Sequence, residues 1–312
     1  MNKSVQETLS GLTTGEAIRA KNVTVFPIFN PGNGNLQYTT LDEAMAAGSV
    51  EVTEVNEVGS VPNLKVTNSG EIPILIFEME ELIGAKQNRI LNTSVLVAAK
   101  SSVTIPVSCV EANRWHYSSR SFKASETHAP SKLRRSMKNT INENLRVYNT
   151  HAADQGEVWA EVDSYRRKAG ICSRASSDDT GALKDAFDVK KSSLDAILAG
   201  IKPLPGQNGM AVFINGELVG MDYVSSEDTF ARLHDKLLRG YAMDAVLEQG
   251  EPRLVNEGEV IELIRAVMES QEETHKSPGE GNDHSYSSPS VNGSALVHDG
   301  AVISASFFKV AG

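Results

Sequence analysis

Cysteine is nearly absent from this chain: two residues, Cys109 and Cys172, in 312. They could pair, but two in a chain this long build no disulfide framework, and reduced thiols in a cytosol are the simpler expectation. Long apolar runs are also missing. The longest, such as 72–77, fall far short of the ~18 residues that suggest a membrane span. The first twenty residues hold no apolar stretch of the signal-peptide kind. The expected location is therefore cytoplasmic, with no membrane partner. Seven histidines stand at 116, 128, 151, 234, 275, 284 and 298 without metal-ligand spacing, and CxxC and HExxH are absent. No metal site and no cofactor are expected. Walker A and G-x-S-x-G sequences are missing too, and the Asn-Pro-Gly-Asn-Gly-Asn run at 30–35 reads as a turn.

What remains is ordinary globular composition, 40% hydrophobic and 22% charged, enough for one large core or two modest ones. The net charge of −10 is unevenly spread. Residues 111–153 hold eight Lys/Arg against three acids, whereas 209–270 hold five against twelve. The basic block reads as a solvated helix face, or else as an anion-attracting wall beside a cleft. Nucleic-acid binding is disfavoured by the acidic total and by the lack of a basic, aromatic-interleaved stripe.

The pattern predicts an α+β fold. Its β-rich N-terminal half is a mostly antiparallel sheet or sandwich, its middle is helical, and further β-hairpins and helices follow in the C-terminal half. Residues 1–19 read as an extension and 20–270 as one domain, with strands over 20–128, helices over 129–203, and a hairpin plus helices over 204–270. Thr40 and Glu43 form a capping box. Asn68-Ser69-Gly70 marks a turn between strands, and Asn215-Gly216 and Asp299-Gly300 mark hairpins. Asp178 and Asp179 read as helix-start residues. Residues 271–292, polar and rich in Ser, Gly and Pro, read as a mobile loop, and 293–312 as a terminal hairpin packing back on the domain.

Two runs carry the chemistry. The first, 78–89, contains Glu78, Glu80, Glu81, Lys86, Gln87, Asn88 and Arg89 around Gly84. It is either a loop presenting hydrogen-bonding groups to a polar ligand, with Gly84 allowing close approach, or a charged connection. The second runs from Cys109 through Glu111 to Arg114, Trp115 and His116. On a strand Cys109 and Glu111 project side by side, which raises a thiol pKa, so Cys109 reads as a packing residue ahead of a nucleophile. Trp115 either stacks a base or plugs the sheet end. Pairing of strands near 90–98 and 102–111 would bring the two runs together.

Those runs also carry a resemblance. The pieces Ser60–Leu64, Glu80-Glu81-Leu82, Gly84–Arg89, Ile105–Glu111 and Arg114-Trp115 resemble the ARG and Rhodanese-Phosphatase-superfamily-associated Protein domain family. So do Gln155, Val158-Trp159, Leu204–Gln207 and the closing hairpin, so that the likeness extends from about 10 to about 308. One departure falls in the last strand, where the resemblance leads one to expect histidine and this chain has Ser304. The resemblance implies a place in NAD and ADP-ribose metabolism and a functional association with ADP-ribosylglycohydrolase; it implies no reaction.

Joined to the residues, it leads to an accessory protein binding an ADP-ribose-like or nucleotide-like small molecule. Lys86 and Arg89 would hold phosphate oxygens, Gln87 and Asn88 the ribose or base, and Arg114 and Trp115 an anion and a ring. The rival is a hydrolase of such a ligand, with Glu80 or Glu81 as general base, or Cys109 as nucleophile supported by Glu111 and His116. A third possibility is a protein-interaction module.

Overall fold

Alternating apolar and polar positions joined by short turns dominate the first 128 residues, and the chain follows them into strands. A computed structural model describes residues 1–30, 36–171, 179–248, 250–251 and 253–310. It begins with α1 (Lys3–Gly11), β1 (Thr13–Thr14), β2 (Ile18–Ala20), β3 (Val23–Phe29), β4 (Thr39–Thr40) and α2 (Leu41–Ala46). Strands β5 (Val50–Glu54), β6 (Asn63–Asn68), β7 (Ile74–Ile76), β8 (Glu80–Gly84) and β9 (Arg89–Leu91) follow. Then come β10 (Val95–Val97), β11 (Ser101–Cys109) and β12 (Phe122–His128). The helical middle is α3 (Ser131–Tyr148), α4 (Gln155–Ala169) and α5 (Leu183–Gly200). A hairpin of β13 (Gln207–Ile214) and β14 (Glu217–Val224) leads to α6 (Glu227–Glu248) and α7 (Glu257–Glu269). The chain closes with β15 (Gln271–Lys276), β16 (Asn282–Ser287), β17 (Val291–His298) and β18 (Ala301–Lys309).

The strands form three sheets. A nine-stranded sheet runs β1-β3-β13-β14-β18-β17-β16-β15, with β2 also on β3. A six-stranded sheet runs β12-β8-β9-β11-β6-β5, and a three-stranded one β10-β7-β4. All pairs are antiparallel except β4 with β7. The apolar residues sort into three cores between layers. Leu64, Ile74, Leu82, Leu91 and Val107 join the small sheet and α2 to one face of the six-stranded sheet. That sheet's other face, through Ile90 and Val110, meets Leu133, Phe187, Leu237 and the inner strand residues Val25, Met210 and Val212. Helices α3 to α6 thus lie between the two large sheets. Helices α1 and α7 cover the far side of the nine-stranded sheet through Val5, Leu9, Val260 and Val267.

Local signals are obeyed. Thr40 and Glu43 form the reciprocal capping box of α2, and Asn215 and Gly216 turn β13 into β14 with φ of 55° and 84°, the left-handed pair of a type I′ hairpin. Longer-range expectations need correction. Residues 1–19, read as an extension, hold α1 and β1 and most of β2, and both strands join the nine-stranded sheet. The 271–292 segment is a strand pair, β15 and β16, laid on β17. Its polar side chains find partners elsewhere. Glu272 accepts from Tyr286 and pairs with the Met1 amino group, while Asp283 meets His151 and Thr93. The Asn68 side chain does accept from the Gly70 amide, but β6 and β7 enter different sheets. Asp179 pairs with Arg166, and α5 starts later at Leu183; Asp178, Cys172 and most of the 30–35 turn lie outside the described residues.

Candidate functional site

In an antiparallel ladder the start of one strand lies beside the end of its neighbour. Arg89 opens β9 and Cys109 ends β11, and they are register partners. The pairing is shorter than the expected hairpin, because the chain leaves after Leu91 and places β10 in the small sheet. It suffices to bring the runs 78–89 and 109–116 together. Residues on alternate positions share a face, so Arg89, Cys109, Glu111 and, at the end of β5, Glu54 project to one side.

Most of the polar groups gathered there are spent on one another. Arg114 bonds both oxygens of Glu111, at 2.9 and 2.6 Å. It also donates to the carbonyls of Ala85, His116 and Gly84, to Ser118 Oγ and to Asn88 Oδ1. Burial raises the Glu111 carboxyl, but hydrogen bonds from Arg114, Thr180 and the Asn88 amide outweigh it and hold it below the usual range. Lys86 donates to the carbonyls of Glu57 and Val58 at 2.7 and 2.6 Å, and its ammonium lies 4.9 Å from the Tyr117 ring centre. Asn88 and Arg114 therefore clasp the strand ends, and Lys86 ties down the 56–59 loop. Gly84, at φ 119°, leaves room for Ser119, whose Oγ a Cβ would meet at 2.5 Å. The close approach it allows is to the protein itself. His116 is exposed, and its backbone carbonyl is what the clasp uses.

Arg89 is the exception. Its side chain is fully buried, yet only Nη1 is engaged, donating to Gln87 Oε1 at 2.9 Å. Nε and Nη2 have no hydrogen-bond partner among the described residues, and neither does Oε2 of Glu54. Among the described residues no carboxylate lies within ion-pair distance of this guanidinium. Burial lowers its hold on the proton, opposed by Cys109 and Glu54, but an arginine remains charged. Trp115 stands over it, ring centre 5.5 Å from Cζ. That ring is 44% exposed, so it caps the group without sealing the sheet end. Gly59, at φ 81°, packs against the same groups, and a Cβ there would sit 3.3 Å from both Glu54 Oε2 and Trp115.

The catalytic candidates do not assemble here. Met79 adopts a left-handed conformation, φ 61°, in the turn before β8, and the three glutamates diverge. Glu78 pairs with Lys138 at 2.7 Å. Glu80 accepts from the Phe77 amide and pairs with Lys236, which is held more closely by Asp42; burial pushes Glu80 up. Glu81 shares its face with Ile90, the side opposite Arg89. Cys109 is buried beside Arg89, and burial pushes its thiol up while Arg89 draws it partly back.

The inner face of α3 was not legible as a polar seam. Arg134 and Lys138, read within a solvated block, are 1% exposed. Arg134 grips Asp222 of β14 with both terminal nitrogens, and Ser306 and Tyr241 bond the same carboxylate. Lys138 reaches Glu78 and Ser294. The i, i+4 spacing of 134, 138 and 142, and serines at 294, 304 and 306 in otherwise apolar strands, are the signals that mark it. Ser304 Oγ, where the resemblance leads one to expect histidine, has no hydrogen-bond partner among the described residues.

No protein of curated function and no solved structure matches the chain. Among the described residues no helix is long and apolar enough to cross a membrane. The family model of the ARG and Rhodanese-Phosphatase-superfamily-associated Protein domain matches residues 11–308. With nearly the whole length matched, from β1 to the last residues of β18, the chain belongs to that family.

Proposed function

We propose that this protein binds a nucleotide-like anion of the ADP-ribose class at Arg89. The observation that carries this is a fully buried guanidinium with two unpartnered nitrogens and no carboxylate in ion-pair distance among the described residues. An uncompensated buried charge is costly, and a phosphate received in a forked, charge-assisted contact offsets that cost. Oε2 of Glu54 is free to accept from a ribose hydroxyl, and the exposed Trp115 ring offers stacking area. Arg89 is reached by displacing Trp115 and the 56–59 loop. Gln87 orients the guanidinium, while Lys86, Asn88, Glu111 and Arg114 keep the frame rigid.

Binding is favoured over hydrolysis because Glu80 is taken up by Lys236, Glu81 faces the side opposite Arg89, and burial raises the Cys109 thiol pKa. The family's name associates it with ARG and rhodanese-phosphatase proteins. On this account it acts beside an ADP-ribosylglycohydrolase in the cytoplasm, within NAD metabolism. Calorimetric titration with ADP-ribose, followed by mass spectrometry of the mixture, tests it. Saturable heat with unaltered ADP-ribose is expected. Absence of binding, or conversion of the ligand, overturns it.

A further inference from the structure

A cavity of about 370 Å³ lies under α5, bounded by Ile83, Ser125, Thr127, Lys184, Phe187 and Arg239. It is on the side of the six-stranded sheet opposite Arg89, and its volume falls within the range of small-molecule sites. Behind its floor stands Glu81, 2% exposed, with Oε1 unpartnered among the described residues. Three observations aim this carboxyl at the cavity. Glu81 and Ile83 alternate on β8 and so share a face. Thr127, a floor residue, donates its hydroxyl to Glu81 Oε2, and Ser125 Oγ lies 2.7 Å from Thr127 Oγ1. Burial raises the Glu81 pKa, and Lys184, on the rim, is near enough to lower it in part, beside the hydrogen bonds from Thr127 and Ser125.

We propose that this cavity is a second binding site, for a small phosphorylated polyol of sugar-phosphate size. Hydroxyls of such a ligand match the floor, where Ser125 and Thr127 supply hydroxyl donors and acceptors and Glu81, behind them, accepts from Thr127. Phe187, Ile83 and Ala124 wall the carbon skeleton. The rim carries Lys184, Lys191 and Arg239 beside Asp188 and Glu126. Their present partners are replaceable. Lys184 pairs with the exposed Asp188, and Lys191 and Arg239 share the exposed Asp195, contacts worth little in water. A phosphate on the rim would draw these cations inward.

Titration with ribose 5-phosphate, ribose and inorganic phosphate separates the contributions. The wild-type protein is expected to bind ribose 5-phosphate at least about tenfold more tightly than either fragment. Lys184→Ala, at a half-buried position, weakens ribose 5-phosphate about tenfold and leaves ribose unchanged. Ser125→Ala weakens both. The same titrations repeated in Arg89→Met, where any phosphate binding at Arg89 is lost, report on the cavity alone, so failure here is distinct from failure at Arg89. No saturable binding of ribose 5-phosphate, or binding indifferent to Lys184→Ala and Ser125→Ala, overturns the proposal.

Discussion

Arg89 and Cys109 face each other across the antiparallel pair of β9 and β11, a buried cation beside a buried thiol on one side of the six-stranded sheet. The consequence for the thiol is direct. Burial raises its pKa and Arg89 recovers only part of the shift, so little thiolate forms at neutral pH. Cys109 is expected to alkylate much more slowly than a free cysteine at pH 7.5, read by mass mapping of the Cys109 peptide. Cys109→Ser should cost about 1 kcal/mol of stability and leave ADP-ribose binding intact. Rapid alkylation, slowed by ADP-ribose, would instead make Cys109 a nucleophile.

Glu111 and Arg114 are a closed, buried ion pair, and removing one partner strands the other. Arg114→Ala is expected to destabilise the fold by about 3–5 kcal/mol in denaturant unfolding. A loss under 1 kcal/mol would show that the clasp is not what holds the ends of β9 and β11.

Lys86 holds the 56–59 loop by two carbonyls. Lys86→Met keeps the stem and removes those bonds, and should speed limited proteolysis at 56–59 without abolishing ADP-ribose binding. Loss of binding with the loop still protected would return Lys86 to the role of a phosphate ligand.

His128 gives a pH dependence of known sign. It is buried, with Nε2 2.8 Å from the Glu78 carbonyl, and burial together with Arg134 lowers its pKa from 6.5 to about 3. The depressed folded value means that its contribution is present above 6.5 and lost as pH falls toward about 3, because only the unfolded chain takes the proton there. Between pH 7 and pH 5 the wild type should lose about 2 kcal/mol more than His128→Gln. Equal losses in the two proteins would contradict a neutral, buried His128.

The features legible in the sequence are those whose causes are local. Thr40 and Glu43 satisfy each other within one turn, and Asn215-Gly216 sets its own backbone. The meeting of 78–89 with 109–116 follows from strand polarity. The roles inside that meeting were less visible. Lys86 and Arg114 look like ligand cations until the carbonyls of Glu57, Val58 and Ala85 arrive through the fold. Residues 271–292 lack apolar content, yet His151, Thr93 and the amino terminus satisfy their polar groups from distant parts of the chain. Arg134 and Asp222 carry no mutual mark in the sequence, and only the packing of α3 on the nine-stranded sheet pairs them.

The central claim is that Arg89 is buried for a ligand and not for the fold. Met approaches its volume without its charge, and replacing an uncompensated buried cation by an apolar side chain is neutral or stabilising. The decisive measurement is ADP-ribose titration of Arg89→Met beside its thermal unfolding. The account predicts no detectable binding with a melting temperature equal to or above that of the wild type. Retained binding, or a melting temperature many degrees lower, would contradict it.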